Sequence, residues 1–490
     1  MPLPFLANFM KIPEMQRHSI ISFTTIIGIT LLGYMTTMIC SRLLGADLMG
    51  VYFLFLAYYG IFNTIGEGGF GSAAVKRISE GKDQNEYFSA FIVLHGILII
   101  ISTLILLTAS PYLIDVSQYT LTPWIIAALI AAFFGGTVTY GVFAEGHIGV
   151  KNIASGVSEC IRLLIQVLAV LAGFSLYGLC GGYIAGILIT GILCLRYLSL
   201  RPVRFHWHHV SSLFSYGSWS FLVKAGSLVF AYANTILIGI FMNNSEVGIY
   251  RVASQLSGFS VLLCLAICAI LPPKISSLSI QNQWDTIAKV VTRSITTSLV
   301  LSIPITLAGF ILAEPLLNFF YGPEFDEGTL VCLILLIMQI TAVFVYILGV
   351  TLSGVNHPRL AFRATVFSIS LNVILDLILI PIIGISGAAI ATLISYIVDL
   401  TLIYIFLSRY ITIRFEVRPI AHIIVAALIM TLFIVIYRAY VPIDSLLLTM
   451  LPLLIGFVIF GFSLLKIDRG IRNELAGLVT TIGIPWPKWL

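Results

Sequence analysis

Charged residues are scarce in this chain: Asp, Glu, Lys and Arg make up 10% of its 490 residues, against about 25% in a typical soluble chain. So few charges cannot coat a surface that faces water, which excludes a set of ordinary soluble domains. Long polar segments are missing too, so no sizeable domain can be placed outside a membrane. The seven cysteines form no C-x-x-C pair, and Cys264 and Cys268, four residues apart, have no His or carboxylate beside them. They read as small buried apolar side chains, not as metal or redox ligands. The glycines at 66, 68, 69 and 71 precede no G-K-[ST], so there is no P-loop and no visible ATP site. A cleavable signal is not evident. The start is short and polar through Lys11 and Arg17, and the apolar run from about Ile20 is long enough to span.

What the chain has instead is apolar length. Hydrophobic residues reach 59% and the mean hydropathy is +1.07. Runs such as Phe88–Ala109 are nearly unbroken. A spanning helix needs roughly 20 apolar residues, whereas a membrane β-barrel shows only weak alternating stretches of about 10. The pattern therefore predicts an all-α integral membrane protein. About fourteen spans are expected, near 19–40, 48–65, 88–109, 121–143, 157–174, 177–199, 216–240, 247–271, 294–313, 328–352, 361–382, 386–408, 419–440 and 443–465.

The cations test that count. With the N-terminus placed in the cytoplasm, 21 of the 26 Lys and Arg residues fall in cytoplasmic segments. Arg42 and Arg438 lie on the opposite side, and Arg162, Lys224 and Arg251 lie within spans. One missed helix would invert every later loop, so this positive-inside asymmetry predicts cytoplasmic termini at both ends of a cell-membrane protein. All six tryptophans (Trp124, Trp207, Trp219, Trp284, Trp486 and Trp489) fall near span ends or in flanking loops, as headgroup anchoring requires. Residues 273–293 and the tail 467–490 read as helices lying on the cytoplasmic interface.

Three landmarks recur in order. Gly50-Val51-Tyr52 and Gly248-Ile249-Tyr250 stand 198 positions apart. Pro111 and Pro315 stand 204 apart, and the glycine clusters from Gly178 and from Gly384 stand 206 apart. The spacing predicts a six-helix lobe over 1–210, a parallel copy over 211–412, and two extra helices with a tail over 413–490. Duplication of this kind is the usual build of a transporter.

The same landmarks carry a resemblance. Ser41-Arg42-Leu43-Leu44-Gly45 followed by Gly50-Val51-Tyr52 resembles the opening of the polysaccharide-export flippases. These belong to the multidrug/oligosaccharidyl-lipid/polysaccharide superfamily. The similarity continues through Gly66–Arg77, Pro272-Pro273, Phe320–Phe325 and Asn372–Asp376, and through Gly384–Thr392. It covers nearly the whole chain and points to the O-antigen and lipid-linked-oligosaccharide branch. The resemblance implies two six-helix lobes in a V around a hydrophilic cavity. The diphosphate head of a polyprenyl-linked glycan would cross that cavity by alternating access while its tail stays in the lipid. Membrane lipid and other polysaccharide-assembly membrane proteins would be partners, with no nucleic acid. No cofactor is expected, and energy would come from H⁺ or Na⁺ or from consumption of the glycan.

An anionic head wants cations, Arg gripping a phosphate bidentately and Lys as a point charge. A charge inside a span costs ~2.5–3.5 kcal/mol on insertion scales, so each is a functional hypothesis. The candidates for the diphosphate are Arg42, Lys224, Arg251 and Arg162. Each has a plainer alternative: Arg42 and Lys224 can snorkel to an interface, Arg251 lies at a span end, and Arg162 can pair with Glu159 three residues before it. Asp399, Asp376 and Glu159 are the acidic candidates for ion coupling. Asn372, four residues before Asp376, offers interhelical hydrogen bonding as the alternative. His95 and His422 read as packed, hydrogen-bonded histidines. His206-Trp207-His208-His209 lacks further ligands in sequence, so it reads as a headgroup-facing loop and not as a metal site. Two other classes compete: a polytopic glycosyltransferase or polymerase, disfavoured by the short outer loops, and an ion-coupled drug exporter, whose relatives usually have twelve spans.

Overall fold

The structure, a computed structural model, describes residues 14–473 except 115, 117, 414, 415, 443 and 444. Side chains are described from residue 28, apart from those at 223, 227, 229 and 230. Lys11, Arg414, Lys488, Trp486, Trp489, the side chain of Arg17 and most of the expected interfacial tail lie outside these residues.

The described chain is a succession of helices. The first, α1 (Glu14–Glu67), runs into α2 (Phe70–Ser79), α3 (Gln84–Ala109), α4 (Leu121–Ala144), α5 (Ile148–Leu171) and α6 (Ser175–Leu195). Then come α7 (Trp207–Phe241), α8 (Asn244–Ser257), α9 (Leu262–Ile280), α10 (Trp284–Tyr321) and α11 (Thr329–Gly354). Last are α12 (Pro358–Ile383), α13 (Ile385–Leu407), α14 (Val417–Tyr440) and α15 (Leu446–Ile467). The membrane reading holds at the level of side chains. On α3, Ile100 is 61% exposed and Leu104 57% exposed, while His95 and Ser102 are buried. Apolar groups outside and polar groups inside are the arrangement a lipid solvent selects.

Twelve described helices are long and apolar enough to cross a membrane, thirteen with the two segments of α7, which meet at 51°. The difference from fourteen has a physical source in α1. Its span Gly28–Glu67 has 40 residues, about 60 Å of helix at ~1.5 Å per residue, twice a bilayer core. Gly45 (φ 79°, ψ 178°) divides it. That conformation is open to glycine and closed to residues with a Cβ, so the glycine of the Arg42–Gly45 motif separates two helices that are otherwise continuous.

One expectation is corrected. Residues 273–293 form no separate interfacial helix: they are the end of α9 and the start of α10, joined by a short turn at Gln281–Gln283. Pro272 and Pro273 lie inside α9, and Trp284 begins the 38-residue α10. The amphipathic pattern there comes from helix ends that extend past the apolar zone.

The helices pack into two compact units, one spanning His18–Arg251 and the other running from Val252. In the first, α5 packs on α6, α4 on α6, and α2 on α3, α4 and α7. The repeat landmarks Gly50 and Gly248 meet here. A Cβ on Gly50 would overlap the Asn244 carbonyl oxygen, and one on Gly248 would overlap that of Ala46. Small residues at such crossings let helix backbones touch. In the second unit α12 packs on α13, α11 on α10 and α13, and α14 on α15 and α10.

Candidate functional site

The first unit gathers all three intramembrane cations, each with its own surroundings. Lys224 on α7 ion-pairs with Glu67 at the end of α1 and lies 3.4 Å from the Tyr140 hydroxyl of α4. Tyr140 itself donates to the same Glu67 oxygen at 2.8 Å. Glu67 is 9% exposed. The chain turns sharply after it at Gly68 and Gly69 (φ 56° and 73°), and a Cβ on Gly69 would overlap the Gly217 carbonyl oxygen. That close approach of α2 to α7 brings residues 157 positions apart together. Snorkelling is therefore not what Lys224 does.

Arg162 pairs with Glu159, and its guanidinium lies 5.6 Å from the Tyr183 ring centroid. Its Nε is buried without a hydrogen-bond partner. The pair borders Gly33 of α1, where a Cβ would sit 3.7 Å from the Glu159 carboxylate. One turn on, Gln166 donates to the Tyr52 hydroxyl at 3.0 Å and to the Leu179 carbonyl at 2.8 Å. Tyr52, Phe55, Tyr59 and Tyr183 extend this polar spot as an aromatic ladder with centroids 5.3–6.5 Å apart.

Arg251 on α8 has a different character. Its guanidinium lies 5.6 Å from the Phe53 ring centroid and 3.4 Å from the Ala231 carbonyl oxygen. Tyr34, Tyr232 and Tyr250 are its polar neighbours, and Asn234 donates to Tyr250 at 2.6 Å. Among the described residues it ion-pairs with no carboxylate. Arg42, on α1 one turn before the Gly45 break, is exposed.

The acidic candidates divide. Glu159 is committed to Arg162. Asp376 and Asp399 lie in the second unit, on α12 and α13, which pack together. Ser368, Asn372 and Asp376 repeat every four residues on one face of α12 and are buried to 2%, 2% and 0% exposure. Asp399, at 8%, neighbours Ser368. Thr392 and Ser395 of α13 are buried as well, with hydroxyls bonded to the carbonyls of Ala388 and Ala391 at 2.8 Å. Both carboxylate oxygens of Asp376, Asp399 Oδ1 and Asn372 Nδ2 are buried with no hydrogen-bond partner. Interhelical hydrogen bonding, the plainer reading of Asn372 and Asp376, does not satisfy those atoms. A buried carboxylate without partners calls for a proton or a cation.

His95, His422 and Arg438 each have a polar partner. His95 meets Thr137 at 3.1 Å and stacks on Phe91. His422 meets Asp468 at 2.9 Å, and Arg438 bonds the Ile311 carbonyl and faces Glu314 at 3.5 Å, both side chains exposed. Sequence reasoning missed Glu67 and Tyr140. A carboxylate amid Gly66, Gly68 and Gly69 at a span end reads as a wet loop. Only its place inside a glycine-rich helix break hinted otherwise.

Comparison with known proteins adds a family. Residues 39–329 match the family described as polysaccharide biosynthesis protein. Among curated proteins, the chain is 30% identical over 425 residues to the probable low-salt glycan biosynthesis flippase Agl15 of Haloferax volcanii, covering 86% of this chain and 89% of that one. It is 27% identical over 472 residues to the probable flippase AglR of the same organism, covering 95% and 99%. Among solved structures, the lipid II flippase MurJ in an inward closed conformation superposes with a TM-score of 0.75 at 14% identity, covering 92% of this chain and 100% of that one. At that identity the likeness concerns the fold.

Proposed function

Because the chain belongs to the polysaccharide biosynthesis protein family, we propose that this membrane flippase carries a polyprenyl-diphosphate-linked oligosaccharide. Transport runs from the cytoplasmic to the outer leaflet of the cell membrane by alternating access, in the service of surface polysaccharide synthesis. Both termini lie in the cytoplasm, where 21 of 26 cations belong by the positive-inside rule.

The observation that carries the substrate class is Arg251, a guanidinium in a spanning helix with aromatic and hydroxyl neighbours and no carboxylate among the described residues. Such a group costs ~2.5–3.5 kcal/mol to insert, and a diphosphate can repay that through a bidentate, charge-assisted contact. Lys224 and Arg162 already hold Glu67 and Glu159, so an anionic head must displace a carboxylate to reach them. Arg42, exposed beside the Gly45 break and on the side opposite the cytoplasm by the cation asymmetry, meets the head late in its passage. Coupling belongs to the second unit. Asp376 and Asp399, with three buried oxygens unpartnered, take up H⁺ or Na⁺.

The test is flipping of a labelled polyprenyl-diphosphate glycan in reconstituted liposomes. Arg251→Ala is expected to lose roughly 10- to 150-fold in rate, the scale of one lost charge-assisted hydrogen bond of ~1.5–3 kcal/mol. Arg42→Ala is expected to lose less. Asp376→Asn is expected to abolish the response to an imposed Na⁺ or proton gradient. Wild-type rates in Arg251→Ala would overturn the assignment of the cargo to this cation.

A further inference from the structure

The histidine cluster ahead of the seventh span gains in the fold a ligand that its own sequence neighbourhood lacks. Asp83, in the turn between α2 and α3, lies with His208 and His209 so that one ligand atom of each falls within 4.8 Å of the others. The three residues are separated by 125 and 1 positions, so only the packing of α7 on α3 assembles them.

His209 is built like a metal ligand. It is 2% exposed, packs edge-on against Tyr87 with ring centroids 4.8 Å apart, and points Nε2 at Asp83 Oδ2 3.6 Å away. That distance is too long for a hydrogen bond, and Nε2 is buried without a partner. Its other nitrogen is anchored. Nδ1 accepts from the His206 backbone N–H at 3.1 Å and lies 3.2 Å from the His206 carbonyl oxygen. A cation on Nε2 puts the ring proton on Nδ1, which then donates to that carbonyl in place of accepting from the N–H, the usual backbone support of a ligating imidazole. Asp83 is equally uncommitted. It occupies the cap position of α3 with φ 48°, but its side chain makes no capping hydrogen bond. The His208 and His209 rings lie 3.7 Å apart.

We propose that Asp83, His208 and His209 form a site for a divalent transition metal of the zinc class. Bonds of ~2.0–2.2 Å in a tetrahedral site put ligand atoms about 3.4 Å apart. The closure from 4.8 Å falls to Asp83 and His208, which are exposed and can rotate. Two imidazoles and one carboxylate suit zinc-class ions, whereas Ca²⁺ and Mg²⁺ need mostly oxygen ligands. Water completes the coordination. His206, with its ring 6.3 Å from those of both neighbours, acts through its carbonyl and not as a ligand. The bound ion ties the α2–α3 turn to the start of α7, the helix that carries Lys224 further along.

The test uses the full chain in detergent micelles, purified without a polyhistidine tag, with Co²⁺ as the probe. The wild type is expected to give one saturable equivalent with the intense visible band of tetrahedral Co²⁺, displaced by Zn²⁺ and not by Mg²⁺. Asp83→Asn and His208→Gln, both at exposed positions, are expected to weaken binding at least about tenfold with unchanged thermal stability, and His206→Gln to leave it intact. Equal Co²⁺ binding by the wild type and both variants, or no saturable tetrahedral spectrum, would overturn the site.

Discussion

Replacing Lys224 by Met separates a structural ion pair from a working one. The substitution keeps the aliphatic stem and leaves the Glu67 carboxylate, 9% exposed, with the Tyr140 hydroxyl as its remaining described partner. Breaking a fully buried pair from one side costs about 3–5 kcal/mol, because a charge stays behind without compensation. Here the Lys224 side chain is 32% exposed, so water can take part of the ammonium's place. That lowers the expected loss to roughly 1–3 kcal/mol. Adding Glu67→Gln removes the stranded charge while keeping a hydrogen-bond acceptor for Tyr140. The double variant should therefore recover to within about 1 kcal/mol of wild type, a double-mutant coupling of roughly 1–2 kcal/mol. Thermal unfolding in one detergent, over wild type, both singles and the double, reads this directly. The flipping assay is then run on the same four proteins. If Lys224 also handles the diphosphate, the double variant is stable and still slow. A Lys224→Met protein as stable as wild type refutes the ion-pair argument. A stable double variant that flips at the wild-type rate removes Lys224 from the transport path.

Gly248→Ala should cost about 1–3 kcal/mol, the range for overpacking, because the new Cβ overlaps the Ala46 carbonyl oxygen and lies 3.1 Å from its carbon. Gly461→Ala, where nothing lies within 4 Å, is the control and should unfold like wild type in the same thermal assay. Asp468, just beyond the end of α15, gives a pH signature. Burial pushes its carboxyl up, but the Ile471 and Gly470 amides and His422 more than offset this, so its pKa is held below the ordinary value. A depressed carboxylate stabilises above its unfolded pKa of about 3.9 and loses that contribution as pH falls through the folded value. Asp468→Asn should therefore be less stable than wild type at pH 7, with the difference closing below about pH 4. A gap that persists unchanged in acid would count against the hydrogen-bonded carboxylate.

The sites differ in how much of them was legible. Arg162 and Glu159 are three residues apart, and helical geometry alone makes them neighbours. Asn372 and Asp376 share a face for the same reason, but pattern suggested mutual hydrogen bonding, whereas their buried atoms lack partners. Lys224 looked free to snorkel because its partner is 157 positions away. The histidine run looked short of ligands because Asp83 is 125 positions away. Residues 273–293 misled in the opposite sense: their amphipathic pattern belongs to two helix ends, and periodicity cannot see the turn at 281–283.

Hydropathy, cation asymmetry and the glycine and proline landmarks depend on the solvent and on neighbours along the chain. They were therefore enough to establish an all-helical membrane protein, the order of its spans and its family likeness. Pairing across helices depends on contact, which sequence does not encode by distance along the chain. Only the packed structure decided that Glu67 holds Lys224, that Gly50 and Gly248 meet, that Arg251 keeps no carboxylate among the described residues, and that Asp83 faces His208 and His209. In lipid, apolar surface draws every helix inward equally weakly, so close approach and polar complementarity select the neighbours.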